Sequence, residues 1–181
     1  MRNAVLFALL LPLAASAQSN RGGRNGQSMP QAMAGMGTPS APQQVIAPSV
    51  PVLEGLPHAV KIGYTVYVSA MVPLDSTGRL VGEGDLAAQT RQALANLGAV
   101  MRAARGVPGD VVRATVYVRD LTPEKVAVIR REVLDGLDHA TPPALTVVGV
   151  SAFAEPGIEV MIEATGQLRS DYPDRSRLGK P

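Results

Sequence analysis

The residues able to do chemistry are few. The chain has no cysteine, and its two histidines, His58 and His139, stand alone, so no thiol nucleophile or His/Cys metal set can be assembled. A surface or hairpin role is the expectation for His58. Met29, Met33 and Met36 carry thioethers of the soft kind that suits Cu(I). No His or Cys joins them, and their Gly/Gln/Pro-rich surroundings read as a tether that contains methionine. A Ser/His/Asp triad can be drawn on paper, but nothing in the spacing places its members together. Three arginines, Arg105, Arg113 and Arg119, offer permanently charged forks for a carboxylate. Near the C-terminus Glu159, Met161 and Glu163 alternate with Val160, Ile162 and Ala164, the pattern of a strand with one polar face. Ser69 closes another apolar run, where a hydroxyl normally caps a turn.

These residues need elements to hold them. Positions 58–62 and 65–69 are short β-branched runs separated by Gly63-Tyr64, which predicts a hairpin. Asp75 to Gly78 reads as a turn, and Leu80-Val81 as a further short strand. Asp85 then caps a long helix in which Leu86, Thr90, Ala93, Leu94, Leu97, Val100, Met101 and Ala104 recur at helical spacing. Gln89, Arg91, Gln92, Asn96 and Arg102 are assigned to its opposite face, and Gly106-Val107-Pro108 ends it. Positions 110–118 form a strand with Val112, Ala114, Val116 and Val118 alternating against Arg113, Thr115 and Tyr117. Thr122-Pro123-Glu124 opens a second helix, with Val126, Ile129, Val133, Leu134 and Leu137 as its buried stripe. Two final strands, 144–150 and 158–164, flank a loop at Glu155-Pro156-Gly157. The order β-β-α-β-α-β-β predicts a two-layer α+β domain. Its other sheet face is also apolar, so a homo-oligomer is expected.

Composition bounds the rest. Arg2, an apolar run over 4–14 and Ala15-Ser16-Ala17 have the form of a secretory signal peptide over residues 1–17, cleaved after Ala17. That run is about half the roughly 20 residues a membrane span needs, so a periplasmic or secreted product with no membrane span is expected. Residues 18–50 are Gly/Gln/Pro/Met-rich and read as a disordered tether, 51–168 as the folded domain and 169–181 as a C-terminal tail. The overall charge of +2 hides an acidic body: residues 51–168 carry ten basic against thirteen acidic side chains. With aromatics at only 3%, the body lacks both a basic face and stacking platforms, which argues against nucleic-acid binding.

This order, with its residues, resembles the RidA (YjgF-type) reactive-intermediate deaminase family. The resemblance is carried by positions 58–63 (HAVKIG), 66–75 (VYVSAMVPLD), 89–97 (QTRQALANL), 110–118 (DVVRATVYV) and 158–164 (IEVMIEA), and runs from about 53 to 166. It implies a chorismate-mutase-like fold, a homotrimer with a central barrel, and ligand clefts between subunits. It also implies hydrolysis of amino-acid-derived enamines and imines without metal or organic cofactor. In that chemistry an arginine binds the substrate carboxylate while a glutamate and polar groups position water. Glu163 matches the glutamate and Ser69 the serine. The arginine's position, in the run Pro143-Ala144-Leu145-Thr146, holds Leu145. Losing such a charge-assisted contact costs about 1.5–3 kcal/mol. Ala70-Met71 replace the family's Gly-Gln, Leu56 its aromatic residue and Val128 its asparagine, while Thr146 stays polar. Arg113 and Arg119 match positions that are commonly basic and on the surface.

Two readings follow. In the first, the protein binds a small, uncharged molecule in an inter-subunit cleft lined by Leu56, Met71, Val128 and Leu145, with Ser69, Ala70 and Thr146 beside them, and has lost or altered the deaminase activity. In the second it remains an imine hydrolase in which Glu163 orients water on a substrate lacking a carboxylate. An interaction protein working through its tail is a third alternative.

Overall fold

The computed structural model describes residues 40–52, 55–137 and 142–169. The expected signal peptide over 1–17, the Met29/Met33/Met36 segment, His139 and nearly all of the tail lie outside them. Six strands, β1 (Gln43–Val45), β2 (Ala59–Ile62), β3 (Thr65–Met71), β4 (Val111–Arg119), β5 (Ala144–Val150) and β6 (Val160–Gln167), form one sheet in the order β1-β2-β3-β6-β4-β5. Two helices, α1 (Leu86–Ala103) and α2 (Pro123–Gly136), complete a mixed α+β fold. All pairings are antiparallel except β4 with β5, which α2 connects as a crossover.

The local signals act as expected where they are purely local. β2 and β3 meet across Gly63-Tyr64, with Gly63 at φ 59°, a conformation that favours glycine. The Asp75 side chain accepts from the Thr77 and Arg79 backbone N–H groups and from the Thr77 hydroxyl, closing the predicted turn. Leu80 makes only an isolated bridge to Leu74 in place of a strand. Asp85 and Thr122 cap α1 and α2 by accepting from the N–H of Ala88 and Lys125.

One sheet face carries the core. Val66 and Val68 of β3, Val160, Ile162 and Ala164 of β6, and Ala114, Val116 and Val118 of β4 are buried against Ala93, Leu94, Leu97, Val100 and Met101 of α1. Each of the buried Val, Leu, Ile and Met side chains contributes about 1.5–3 kcal/mol of transfer free energy.

Four expectations change. The tether ends sooner than position 50: β1 pairs with β2, and Val45, Ala47 and Val50 are buried, so residues 43–50 belong to the folded domain. His58 is buried and pins this segment, its Nδ1 accepting from the Ala47 N–H at 3.0 Å while Nε2 lies 3.1 Å from the Pro51 carbonyl. Val112 is half exposed because a register irregularity between Val111 and Arg113 turns Val111 inward instead. Leu134 is 47% exposed and leaves the α2 stripe to Ile129, Val133 and Leu137.

The helix face also differs. Gln89 and Asn96, assigned to the polar side of α1, are buried. Gln89 donates through Nε2 to the carbonyls of Gly82 and Gly157 and accepts from the Glu159 N–H at 2.8 Å. Asn96 donates to the carbonyls of Val72 and Leu74, both at 2.9 Å. Buried amides thus satisfy loop backbone groups that no strand reaches.

Candidate functional site

The register of the sheet decides which candidate residues meet. On its open face, Tyr67 of β3 lies opposite Thr165 of β6, and Thr165 opposite Arg113 of β4. One rank further along, Glu163 lies opposite Thr115, and Thr115 opposite Thr146 of β5. Tyr67, Arg113, Thr115, Glu163 and Thr165 surround an open concavity of about 220 Å³.

Glu163 is held there by Tyr117, whose hydroxyl donates to Oε1 at 2.9 Å. Tyr117 is opposite Met161, hence diagonal to Glu163. The phenol's pKa is raised above its usual 10.0, first by this hydrogen bond to a carboxylate and then by burial and the Glu163 charge, while Arg113 opposes the shift. The carboxylate therefore has one fixed oxygen and faces a cavity of small-ligand size. Tyr117 and Thr115 were legible in the sequence only as strand positions, and Thr165 lies one residue past the expected end of the last strand, which runs on to Gln167. Which strand stands opposite Glu163 is what makes them neighbours.

A second set gathers at the far end of β3. The pairing shifts between Val68 and Met71, so that Met71 turns into the core while Ser69 and Ala70 stay outward. The Ser69 N–H donates to the His58 carbonyl and its hydroxyl to the Pro57 carbonyl at 3.1 Å, so this serine caps the turn locally. Leu56, His58, Ser69, Ala70, Met71 and neighbouring prolines line an apolar crevice of about 50 Å³. That is less than two liquid waters at ~30 Å³ each, too small within one chain for a metabolite.

Leu145 and Val128 do not join this crevice within the chain. Leu145 pairs with Ala114, faces the helices and packs on the core. Three sheet spacings separate β5 from β3, roughly 14 Å at ~4.8 Å each. Val128 lies half-buried in the helical layer. Thr146, by contrast, shares the open face with Glu163, two strands away. Arg119 is occupied elsewhere, pairing with Glu159 at 3.3 Å. Arg113 forms no ion pair or hydrogen bond among the described residues. Among those residues no cluster of His, Asp or Glu has the form of a metal site, and no helix is long and apolar enough to cross a membrane.

Residues 49–167 match the family model described as Endoribonuclease L-PSP. The chain is 33% identical over 112 residues to a 2-iminobutanoate/2-iminopropanoate deaminase of Salmonella typhimurium, covering 62% of this chain and 86% of that protein. It is 38% identical over 64 residues to a RutC family protein of Sulfurisphaera tokodaii, where the match covers 35% of this chain and 51% of the relative. The match spans about half the length of this relative and of the similar RutC family proteins of Pyrococcus horikoshii and Pyrococcus abyssi. Among solved structures, RidA from the Antarctic bacterium Psychrobacter sp. PAMC 21119 superposes with a TM-score of 0.63 at 33% identity, covering 70% of this chain and 99% of that one. The β2–β3 hairpin, the α1 amides and the Glu163 strand all lie within the matched span, and the chain belongs to the Endoribonuclease L-PSP family in its RidA (YjgF-type) branch.

Proposed function

We propose that this is an exported, homotrimeric RidA-family protein that binds a small molecule and has lost or altered the hydrolysis of amino-acid-derived imines. One observation carries the reading. The position expected to hold the carboxylate-binding arginine is Leu145, and its side chain is spent on the core. An aliphatic group turned toward the helices offers a substrate carboxylate nothing. The crevice at Leu56, Ser69, Ala70 and Met71 is too small alone, so a neighbouring copy contributing its β5 edge at Thr146 and its α2 at Val128 completes it. The apolar run at residues 4–14 and the Ala15-Ser16-Ala17 site support export to the periplasm or beyond. There, imines made by cytoplasmic enzymes are scarce.

The second reading is an active deaminase, as the name of the Salmonella relative suggests for that protein. It is favoured by the Tyr117–Glu163 hydrogen bond, which fixes a carboxylate toward a cavity. Glu163 would orient water onto the imine carbon, and the C–N bond would break to release ammonia and a carbonyl compound.

An amino-acid oxidase coupled to the purified protein separates the two. The expected result is imine decay at the uncatalysed rate. Acceleration that Glu163→Ala removes would establish the second reading and sink the first.

A further inference from the structure

We infer that residues 43–51 form a strap that His58 pins to the sheet only while its imidazole is neutral, so that mild acid releases it.

The strap is held at few points. β1 pairs with β2 over three residues, and the strap buries only Val45, Ala47 and Val50 among its larger and smaller apolar groups. Three hydrogen bonds join it to one residue, His58, which is 4% exposed. The His58 N–H donates to the Val45 carbonyl at 3.1 Å, and the ring reaches Ala47 with one nitrogen and Pro51 with the other.

That geometry allows one protonation state. A backbone N–H can only donate, so the Ala47 N–H at 3.0 Å makes Nδ1 a bare acceptor. Nε2 then carries the single ring proton and donates it to the Pro51 carbonyl at 3.1 Å. A second proton would set Nδ1–H against the Ala47 N–H, donor against donor, and that bond is lost.

No carboxylate faces the ring to hold the added charge. The strap itself has no titratable side chain. Around the ring stand Val50, Pro51, Leu56, Pro57 and Met71, with the neutral hydroxyl of Ser69. On β2, Lys61 turns away to the Ala104 carbonyl at 3.2 Å. On β3, Tyr67 is half exposed. On β6, two strands away, Glu163 turns Oε1 to Tyr117 of β4. A neighbouring copy would bring β5, which has no charged side chain, and Val128 of α2, near Arg131 and Glu132, which pair with each other.

The docked strap therefore binds one proton fewer than the released one, and a fall in pH drives release. Release sets in below about pH 6.5, the ordinary value of a histidine freed to solvent. It uncovers the β2 edge and takes Val50 and Pro51 from the wall of the β3-end crevice. The pin operates whether or not that crevice takes a ligand.

The chain has no cysteine, so Ser49→Cys, at an exposed strap position, supplies a unique thiol for a nitroxide label. Electron paramagnetic resonance of the labelled full chain then reads strap mobility at pH 7.5 and 5.0. The mobile fraction is expected to rise tenfold or more between them, one proton allowing up to about thirtyfold. In His58→Gln, whose amide donates and accepts but does not titrate, the pH response should vanish. In His58→Ala the label should be mobile at both pH values, and His139→Gln should respond as the wild type does. Far-UV circular dichroism should stay unchanged throughout. A mobile fraction indifferent to pH, a response that survives in His58→Gln, or release seen only with loss of the helical signal would overturn the inference.

Discussion

At the scale of single residues the informative pair is Tyr117 and Glu163. A phenol that donates to a carboxylate is favoured in its neutral form, because ionising it would leave two like charges at hydrogen-bond distance. The folded state therefore raises its pKa above 10.0. With the folded value above the unfolded one, the bond's contribution to stability is fully present below about pH 10, the ordinary tyrosine value. It is lost as pH rises through the raised titration. Tyr117→Phe removes that contribution at every pH, so its stability gap from wild type should be constant through neutrality and close in alkali. Phenolate absorbance during a pH titration checks the cause: one tyrosine of the wild type should ionise late, and that late step should be missing in the variant. A full set of tyrosines ionising together in the wild type would contradict the assignment. The same bond leaves Glu163 with one oriented oxygen, the property on which its proposed water-orienting role rests.

At the scale of elements, α1 is more than an apolar stripe on a sheet. Gln89 ties three backbone groups, the carbonyls of Gly82 and Gly157 and the N–H of Glu159, to the first turns of the helix. It thereby fixes the loop leading into β6, the strand that carries Glu163. Each buried backbone group left without a partner costs about 1–3 kcal/mol. Gln89→Ala strands two of them, the Gly157 carbonyl and the Glu159 N–H, while the Gly82 carbonyl keeps the Asp85 N–H; it should destabilise the domain by about 2 kcal/mol, measured by urea unfolding. A cost below about 0.5 kcal/mol would show that the latch is ornamental. α2 is clasped to α1 in a similar way: Glu132, buried, receives Arg91 at 3.2 Å and Arg131 at 2.7 Å. The Arg131 hydrogen bond is the main reason its pKa is lowered, and Arg91 adds to it against the burial that would raise it. A depressed carboxylate contributes its stability above the ordinary value of 4.5 and loses it as pH falls through the folded one. Acid should therefore loosen the helical layer.

At the scale of the whole molecule, the helices cover one sheet face and leave the other open. That open face mixes Tyr67, half exposed, with Val148, Val150 and Met161, alongside the charged concavity. An apolar sheet face left uncovered marks an interaction surface, and a second copy of the same chain is the commonest partner for one. Light scattering at micromolar concentration should give three times the protomer mass, and Val148→Asp should lower it by placing a charge where copies meet. A wild-type protein that runs as a monomer would remove the inter-subunit cleft, and with it the proposed function.

The sequence by itself determined the elements. Gly63 makes the hairpin turn, Asp85 and Thr122 start the helices, and the alternation at 158–164 put Glu163 on the face away from Ile162. Each of these depends on neighbours within a few residues, where propensity and periodicity act. The family was legible for the same reason, since its motifs are runs of consecutive residues. Tertiary structure alone decided the pairing of strands. The order β3-β6-β4-β5 brought Arg113, Thr115 and Tyr117 beside Glu163, although 46 residues separate Tyr117 from Glu163 in the chain. It also took Leu145 away from Leu56 and Met71, and it drew residues 43–50 into the sheet through His58. Those contacts are set by long-range register and by which buried polar group finds a partner, neither of which a local pattern encodes.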